Sequence, residues 1–162
     1  MATPALMLKI KIIVVGRTRS SFLKQGESFY LERLRRYARS EIVVVKPAGI
    51  KKGRLTKEIL ATEGDSIAKR LLSRDYIIGL DRLGKTWDSE GLATRIETLS
   101  TTQDRLVFII GGALGLSKDL LGRVHEIFSL SRLTLTHEMS RLLLLEQLYR
   151  AFTIINKESY HK

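Results

Sequence analysis

The sequence predicts an α/β protein, a mainly parallel sheet flanked by helices on both faces. Three observations predict it. Apolar, β-branched runs of strand length recur along the chain, and stretches with helical spacing alternate with them. The runs at Leu8 to Val15 and Leu106 to Ile110 are apolar throughout rather than alternating. A strand apolar on both sides is buried on both sides, as parallel strands are under crossover helices.

Each element follows in order. Leu8 to Val15, ended by Gly16, reads as the first strand, and Arg17 to Ser21 as a polar loop. Ser21 to Ala38 has helical spacing at Phe22, Phe29, Leu34 and Tyr37. Ile42 to Val45 is the second strand. Pro47, Gly49 and Gly53, mixed with Lys51, Lys52 and Arg54, mark a basic turn region. Leu55 to Leu72 reads as an amphipathic helix through Ile59, Leu60, Ile67 and Leu71. Tyr76 to Leu80 is the third strand, with Asp81 to Asp88 expected as a loop and Ser89 as the cap of a helix to Leu99. Leu106 to Ile110 is the fourth strand, Ser117 caps a short helix around Leu120 and Leu121, and Ile127 to Leu130 is the fifth strand. His137 to Asn156 is the longest and most apolar helix. Residues 1–7 read as a short disordered extension and residues 8–162 as one domain.

Composition sets the functional class. A chain of 162 residues, 44% hydrophobic and 28% charged, is globular and large enough for a real core. The absence of cysteine excludes disulfides and thiolate metal sites and fits a cytoplasmic setting. No apolar run approaches the ~20 residues of a membrane-spanning helix, and the start lacks a signal-peptide pattern. The formal net charge of +11 points to a polyanionic partner, and nucleic acid is favoured because no basic amphipathic helix is present.

The chemistry gathers in the last third. Gly111, Gly112 and Gly115 follow a buried strand, but the spacing is neither the dinucleotide fingerprint nor a Walker loop. Two readings stand: a close approach of backbone to a ligand, or an ordinary strand-to-helix turn. Glu146 and Arg150, at i and i+4, share one face of a helix otherwise built of Leu142 to Leu145, Leu148, Ala151 and Phe152. Such a helix is buried or lies at a subunit interface, where a charge pair is costly unless it is used or fully paired. His125 reads as a surface residue, His137 as a residue that orients the preceding loop, and His161 as part of the tail. No cluster of histidines and carboxylates has metal-ligand spacing, so no metal is expected. Lys51, Lys52, Arg54 and Lys57 form one candidate phosphate-contact patch, and the arginines from Arg17 to Arg39 a second.

Five pieces in this order carry a resemblance. They are Leu80-Asp81 with Gly84 to Asp88, Ile110 to Gly112 with Gly115 to Ser117, and the loop Ser129 to Leu135. Leu148 to Ala151 and the terminal Tyr160-His161-Lys162 complete them. Together they resemble the SPOUT-superfamily methyltransferases of the RlmH type, which methylate N3 of a pseudouridine in 23S ribosomal RNA. The resemblance runs from Leu8 to Lys162.

The resemblance implies a C-terminal trefoil knot, which periodicity does not reveal. It implies S-adenosylmethionine as cofactor, lined by Leu80, Gly111, Gly112, Leu130, Ser131, Arg132, Leu133, Thr134 and Leu135. It implies a homodimer through the C-terminal helix, with the tail of one subunit completing the other's pocket. Arg150 and His161 are expected to hold the target base or its phosphate, Tyr160 to lie near the substrate, and Glu146 to orient Arg150 or the base. Lys162 is expected to contact phosphate. A chain of this size offers little surface for reading sequence, so the expected substrate is 23S rRNA presented by an assembled 70S ribosome. Two alternatives are a non-catalytic RNA-binding or ribosome-assembly module and a SPOUT enzyme acting on tRNA. The chain departs from the family pattern at Ala113-Leu114, where Pro-Glu is common, and at Thr136 and Glu138, which flank His137 where proline is common.

Overall fold

The computed structural model describes residues 7–49 and 52–162, so Lys51 and residues 1–6 lie outside the described residues. Five strands, β1 (Lys9–Val15), β2 (Arg39–Val45), β3 (Tyr76–Thr86), β4 (Arg105–Ile110) and β5 (Glu126–Ser129), form one parallel sheet in the order β2-β1-β4-β3-β5. The helices are α1 (Ser21–Leu34), α2 (Thr56–Ala68), α3 (Ser89–Thr102), α4 (Lys118–Leu121) and α5 (His137–Ile155). The expected α/β class is therefore the observed one.

Alternation along the strands separates two cores. Ile10, Ile12 and Val14 of β1, with Leu106, Phe108 and Ile110 of β4, face α1, α3 and α5. Ile13, Val15, Val107 and Ile109 face the opposite way, toward Ile67 of α2 and Leu120 of α4. All of β4 after Arg105 is buried, which is why its sequence shows no polar alternation.

Several boundaries differ from expectation. Helix α1 stops at Leu34, and β2 begins at Arg39, three residues before the apolar run, because its first residues pair with Lys9 to Lys11. The stretch expected as a loop after Leu80 belongs to β3. Leu80 and Lys85 both pair with Phe128, so residues 81–84 leave the ladder and the strand then rejoins β5. Asp81 closes this excursion by accepting a hydrogen bond from the Leu83 amide at 2.9 Å. Gly84 is required where the chain returns, since a Cβ there would sit 2.7 Å from the Ile127 carbonyl group. Asp88, rather than Ser89, caps α3 by accepting from the Gly91 amide at 2.7 Å. Ser117 caps α4 as expected, at 3.1 Å from the Leu120 amide.

Helix α5 lies against both α1 and α3. Its Leu144, Leu145 and Leu148 are fully buried. Arg141 is buried with them, at 1% exposure. Its guanidinium donates to the Val15 carbonyl at 2.8 Å and to the Thr18 hydroxyl at 3.0 Å, and Thr18 donates to Glu27 at 2.7 Å. The network ties the end of β1 to α1 and α5, and burial lowers the Arg141 pKa despite Glu27. Arg141→Met keeps the bulk but strands Glu27, Thr18 and the Val15 carbonyl. It is expected to cost about 1–3 kcal/mol, read as a lower urea midpoint with an unchanged slope.

Candidate active site

The ends of β3, β4 and β5 are neighbours, so Leu80, Gly111 and Leu130 emerge side by side on the carboxyl edge of the sheet. This is the edge where open α/β sheets bind ligands. The glycine turn is closed by its own backbone. Gly115 adopts φ 79° and donates its amide to the Gly112 carbonyl at 3.0 Å. A Cβ on Gly111 would lie 2.3 Å from the Gly115 carbonyl oxygen. Gly111 is thus demanded by the turn itself, whatever ligand it faces, which gives the turn reading of these glycines its physical ground.

Beyond β5 the chain forms an open loop. Ser129 donates to the Ser131 carbonyl at 2.9 Å, and the Ser131 hydroxyl accepts from the Leu133 amide at 3.0 Å. Leu130, Ser131 and Leu135 are half-buried, while Arg132, Leu133 and Thr134 are exposed, Leu133 at 75%. With Leu114 exposed on the glycine turn, this edge offers bare apolar surface. Exposed apolar surface at such an edge suits a ligand with a flat, apolar ring.

Glu63 of α2 lies beside the turn and was not singled out from the sequence. It is buried at 7% exposure. One carboxylate oxygen accepts from the Ala48 amide at 3.2 Å, and the other has no partner and would lie 3.4 Å from a Cβ on Gly112. An orphaned acceptor here suits a cationic ligand. Burial pushes the Glu63 carboxyl above its ordinary 4.5, partly offset by the Ala48 hydrogen bond.

The second group of residues meets on α5 and the tail. Glu146 and Arg150 form an ion pair at 2.6 Å, with a further Arg150 Nε bond at 3.1 Å. Tyr160 donates to the same Glu146 oxygen at 3.2 Å, and the Arg150 guanidinium lies 4.7 Å from the Tyr160 ring centre. Arg150 also lies 3.2 Å from His161 Nδ1. A guanidinium only donates, so Nδ1 accepts and His161 Nε2 carries the proton toward Glu90, 3.0 Å away. The imidazole is thereby held in place between Arg150 and Glu90. Its hydrogen bond keeps the Glu90 carboxyl below its usual range. Burial, then hydrogen bonding to Tyr30, pushes the Tyr160 phenol well up, so it stays protonated at neutral pH. The Glu146 hydrogen bond raises Arg150.

The four side chains expected near the substrate are therefore in one cluster. Glu90 joins them, a residue that no local spacing marks because it comes from α3. The tail packs on its own chain here, and Lys162 is exposed at its end.

The basic turn divides differently. Lys52 is exposed, whereas Arg54 binds the Thr62 hydroxyl at 2.9 Å and the Gly49 carbonyl at 3.4 Å, closing the turn onto α2. His125 is exposed, as expected, yet its Nδ1 accepts from the Ile77 amide at 2.9 Å. His137 opens α5, half-buried, with its pKa lowered by burial and by Arg141. Among the described residues, no helix is long and apolar enough to cross a membrane.

Glu63 yields a test by linkage. A raised folded-state carboxyl pKa means stability is lost as pH rises from the ordinary carboxyl range through the raised value. Glu63→Gln keeps the acceptor for Ala48. It is expected to match the wild-type melting temperature at low pH and exceed it increasingly above the ordinary carboxyl range.

The family model described as "Predicted SPOUT methyltransferase" matches residues 8–161. A protein of Desulfotalea psychrophila named Ribosomal RNA large subunit methyltransferase H is 40% identical over 156 residues, covering 96% of this chain and 100% of the relative. One of the same name from Limosilactobacillus reuteri is 41% identical over 160 residues, again across 96% and 100%. In fold, the chain is similar to a solved probable methylase family protein of Haemophilus influenzae, with TM-score 0.54 and 14% identity over 94% of this chain and 70% of that one. With the family model spanning nearly the whole chain and full-length relatives at about 40% identity, the chain belongs to the SPOUT methyltransferase family.

Proposed function

We propose that the protein methylates N3 of a pseudouridine in 23S ribosomal RNA, using S-adenosylmethionine, as a cytoplasmic homodimer acting on the assembled 70S ribosome. One observation carries the reading most. Arg150, His161, Tyr160 and Glu146, singled out as substrate residues from the sequence, meet in one hydrogen-bonded cluster. The names of the relatives support ribosomal RNA of the large subunit as the substrate.

S-adenosylmethionine, when bound, supplies an electrophilic methyl group on a sulfonium. The residues that would hold it are Leu80, Gly111, Gly112 and the loop 130–135. The chain's own task is to present N3 in line and to favour loss of its proton. Losing that proton places negative charge on the flanking carbonyl oxygens. Arg150, permanently charged and braced by Glu146, is suited to stabilise that charge. His161, held in place by Arg150 and Glu90, is suited to position the base through a hydrogen bond. Tyr160 keeps its proton and serves as a wall and donor, not as a base.

The homodimer reading rests on α5. No residue of this helix is fully exposed, yet Met139, Leu142, Leu143 and Ile154 are only half-buried. A second copy would cover that apolar remainder. The knot reading rests on the path of the chain. After β5 at one edge of the sheet, α5 returns to bind the end of β1 through Arg141.

The test is transfer of labelled methyl from S-adenosylmethionine to 70S ribosomes from a strain lacking this protein, with the modified nucleotide mapped by mass spectrometry. One added methyl on a 23S pseudouridine is expected, with little transfer to free RNA. Cofactor binding without transfer to any ribosomal RNA would redirect the reading to tRNA. RNA binding without cofactor binding would favour a non-catalytic module.

Arg150→Ala, and separately deletion of residues 160–162, are expected to abolish transfer while leaving cofactor affinity within a few-fold. Loss of cofactor binding in either variant would show that the cluster serves the cofactor and not the base.

A further inference from the structure

The opposite edge of the sheet carries a feature that the methyl-transfer site does not use. Lys9 pairs in register with Arg39 on one side and Arg105 on the other. Register partners in a parallel sheet point the same way, with strands about 4.8 Å apart. Three cations thus stand in one row across β2, β1 and β4. Like charges placed directly opposite one another on neighbouring strands destabilise a sheet.

Compensation within the chain is incomplete. Arg105 is answered by the buried carboxylate of Asp75 at 2.9 Å. In the next row Lys11 faces Glu41. Lys9 and Arg39 have no carboxylate within ion-pair distance among the described residues. Arg35, at the end of α1, adds a further cation whose pair with Glu32 is exposed and weak. These side chains line a hollow of about 350 Å³, large enough for a phosphate with its flanking sugars.

We infer that this hollow binds a backbone phosphate of the ribosomal RNA, as a second anchoring point remote from the methyl-transfer site. The inference rests on the ribosomal RNA reading above. Lys9, Arg39 and Arg105 open their strands, whereas Gly111 and Leu130 follow the strand ends. The length of the strands therefore separates the two places by about 20 Å. At that separation the hollow lies apart from the glycine turn, and a contact to backbone phosphate supplies orientation and affinity without reading sequence. The unanswered pair Lys9 and Arg39 is the cost in the free protein that a bound phosphate removes. RNA is favoured over a membrane because the cations sit in a concavity, which a flat lipid surface engages poorly.

The experiment measures binding of the full chain to 70S ribosomes across ~50–200 mM salt. Lys9→Ala/Arg39→Ala is expected to flatten the log–log salt dependence by about one to two units. Its cofactor affinity should be unchanged, and its melting temperature equal to or above the wild type because the like-charge row is relieved. The charge-conserving Lys9→Arg/Arg39→Lys should keep the wild-type slope. So should Lys24→Ala/Arg123→Ala, which removes the same charge elsewhere. A wild-type slope in Lys9→Ala/Arg39→Ala, or equal flattening in Lys24→Ala/Arg123→Ala, overturns the inference alone. A wild-type protein that does not bind ribosomes overturns this inference together with the RNA reading. Equal binding of both proteins to ribosomes, with a loss confined to anionic phospholipid vesicles, overturns it in favour of a membrane.

Discussion

The structure depends on the burial of α5 over a parallel sheet. Leu144, Leu145 and Leu148 lose all contact with solvent against strands that are themselves apolar on both sides. Each such side chain contributes about 1.5–3 kcal/mol on burial. Because α5 is held along its length by α1 and α3, the polar residues it carries are fixed in direction as well as place. Arg141 is driven inward, where hydrogen bonds to the Val15 carbonyl and the Thr18 hydroxyl, with Glu27 beyond Thr18, make its charge tolerable. Glu146 and Arg150 emerge on the flank, partly exposed and paired with each other.

Two kinds of site follow from this arrangement. The carboxyl edge of the sheet offers mainly backbone and apolar surface, from turns closed by their own hydrogen bonds. The α5 cluster offers side chains whose protonation is constrained. Arg150 is charged, Tyr160 is protonated, and His161 is held in place between a pure donor and a carboxylate. Under the function proposed above, a methyl donor that is already electrophilic needs no activation by acid or metal, so a division between an apolar ligand edge and a positioned polar cluster would suit the chemistry.

The departures from the family pattern have local accounts. Thr136 stands where proline is common, and its hydroxyl accepts from the Met139 amide at 3.2 Å, capping α5. Glu138 accepts from the Arg19 amide at 2.9 Å and from the Ser20 amide at 3.3 Å, which joins the loop after β1 to the start of α5. Those bonds hold its carboxyl below the usual range. The helix start thus gains two tethers that proline, lacking both a side-chain acceptor and an N–H, would not supply. Ala113 and Leu114 are exposed and make no tether of their own.

The sequence by itself determined the α/β class and the five strands, because buried strands and amphipathic helices write their periodicity locally, whereas Tyr160 and His161 were marked only by the resemblance to a family. It also marked Ser117 as a cap, since capping is a contact between residues three apart. What it left open depended on distant partners. The excursion at residues 81–84 exists because β3 rejoins β5, and no local pattern signals a second pairing partner. Glu63, Glu90 and Arg141 look like ordinary surface charges in the sequence. Only the tertiary structure decided that Glu63 is buried beside the glycine turn, that Glu90 reaches the tail histidine, and that Arg141 lies under the end of β1. The same holds for Arg54, read as a phosphate contact and found closing a turn onto α2, and for the row of Lys9, Arg39 and Arg105. Register alone brings together cations drawn from three separate strands.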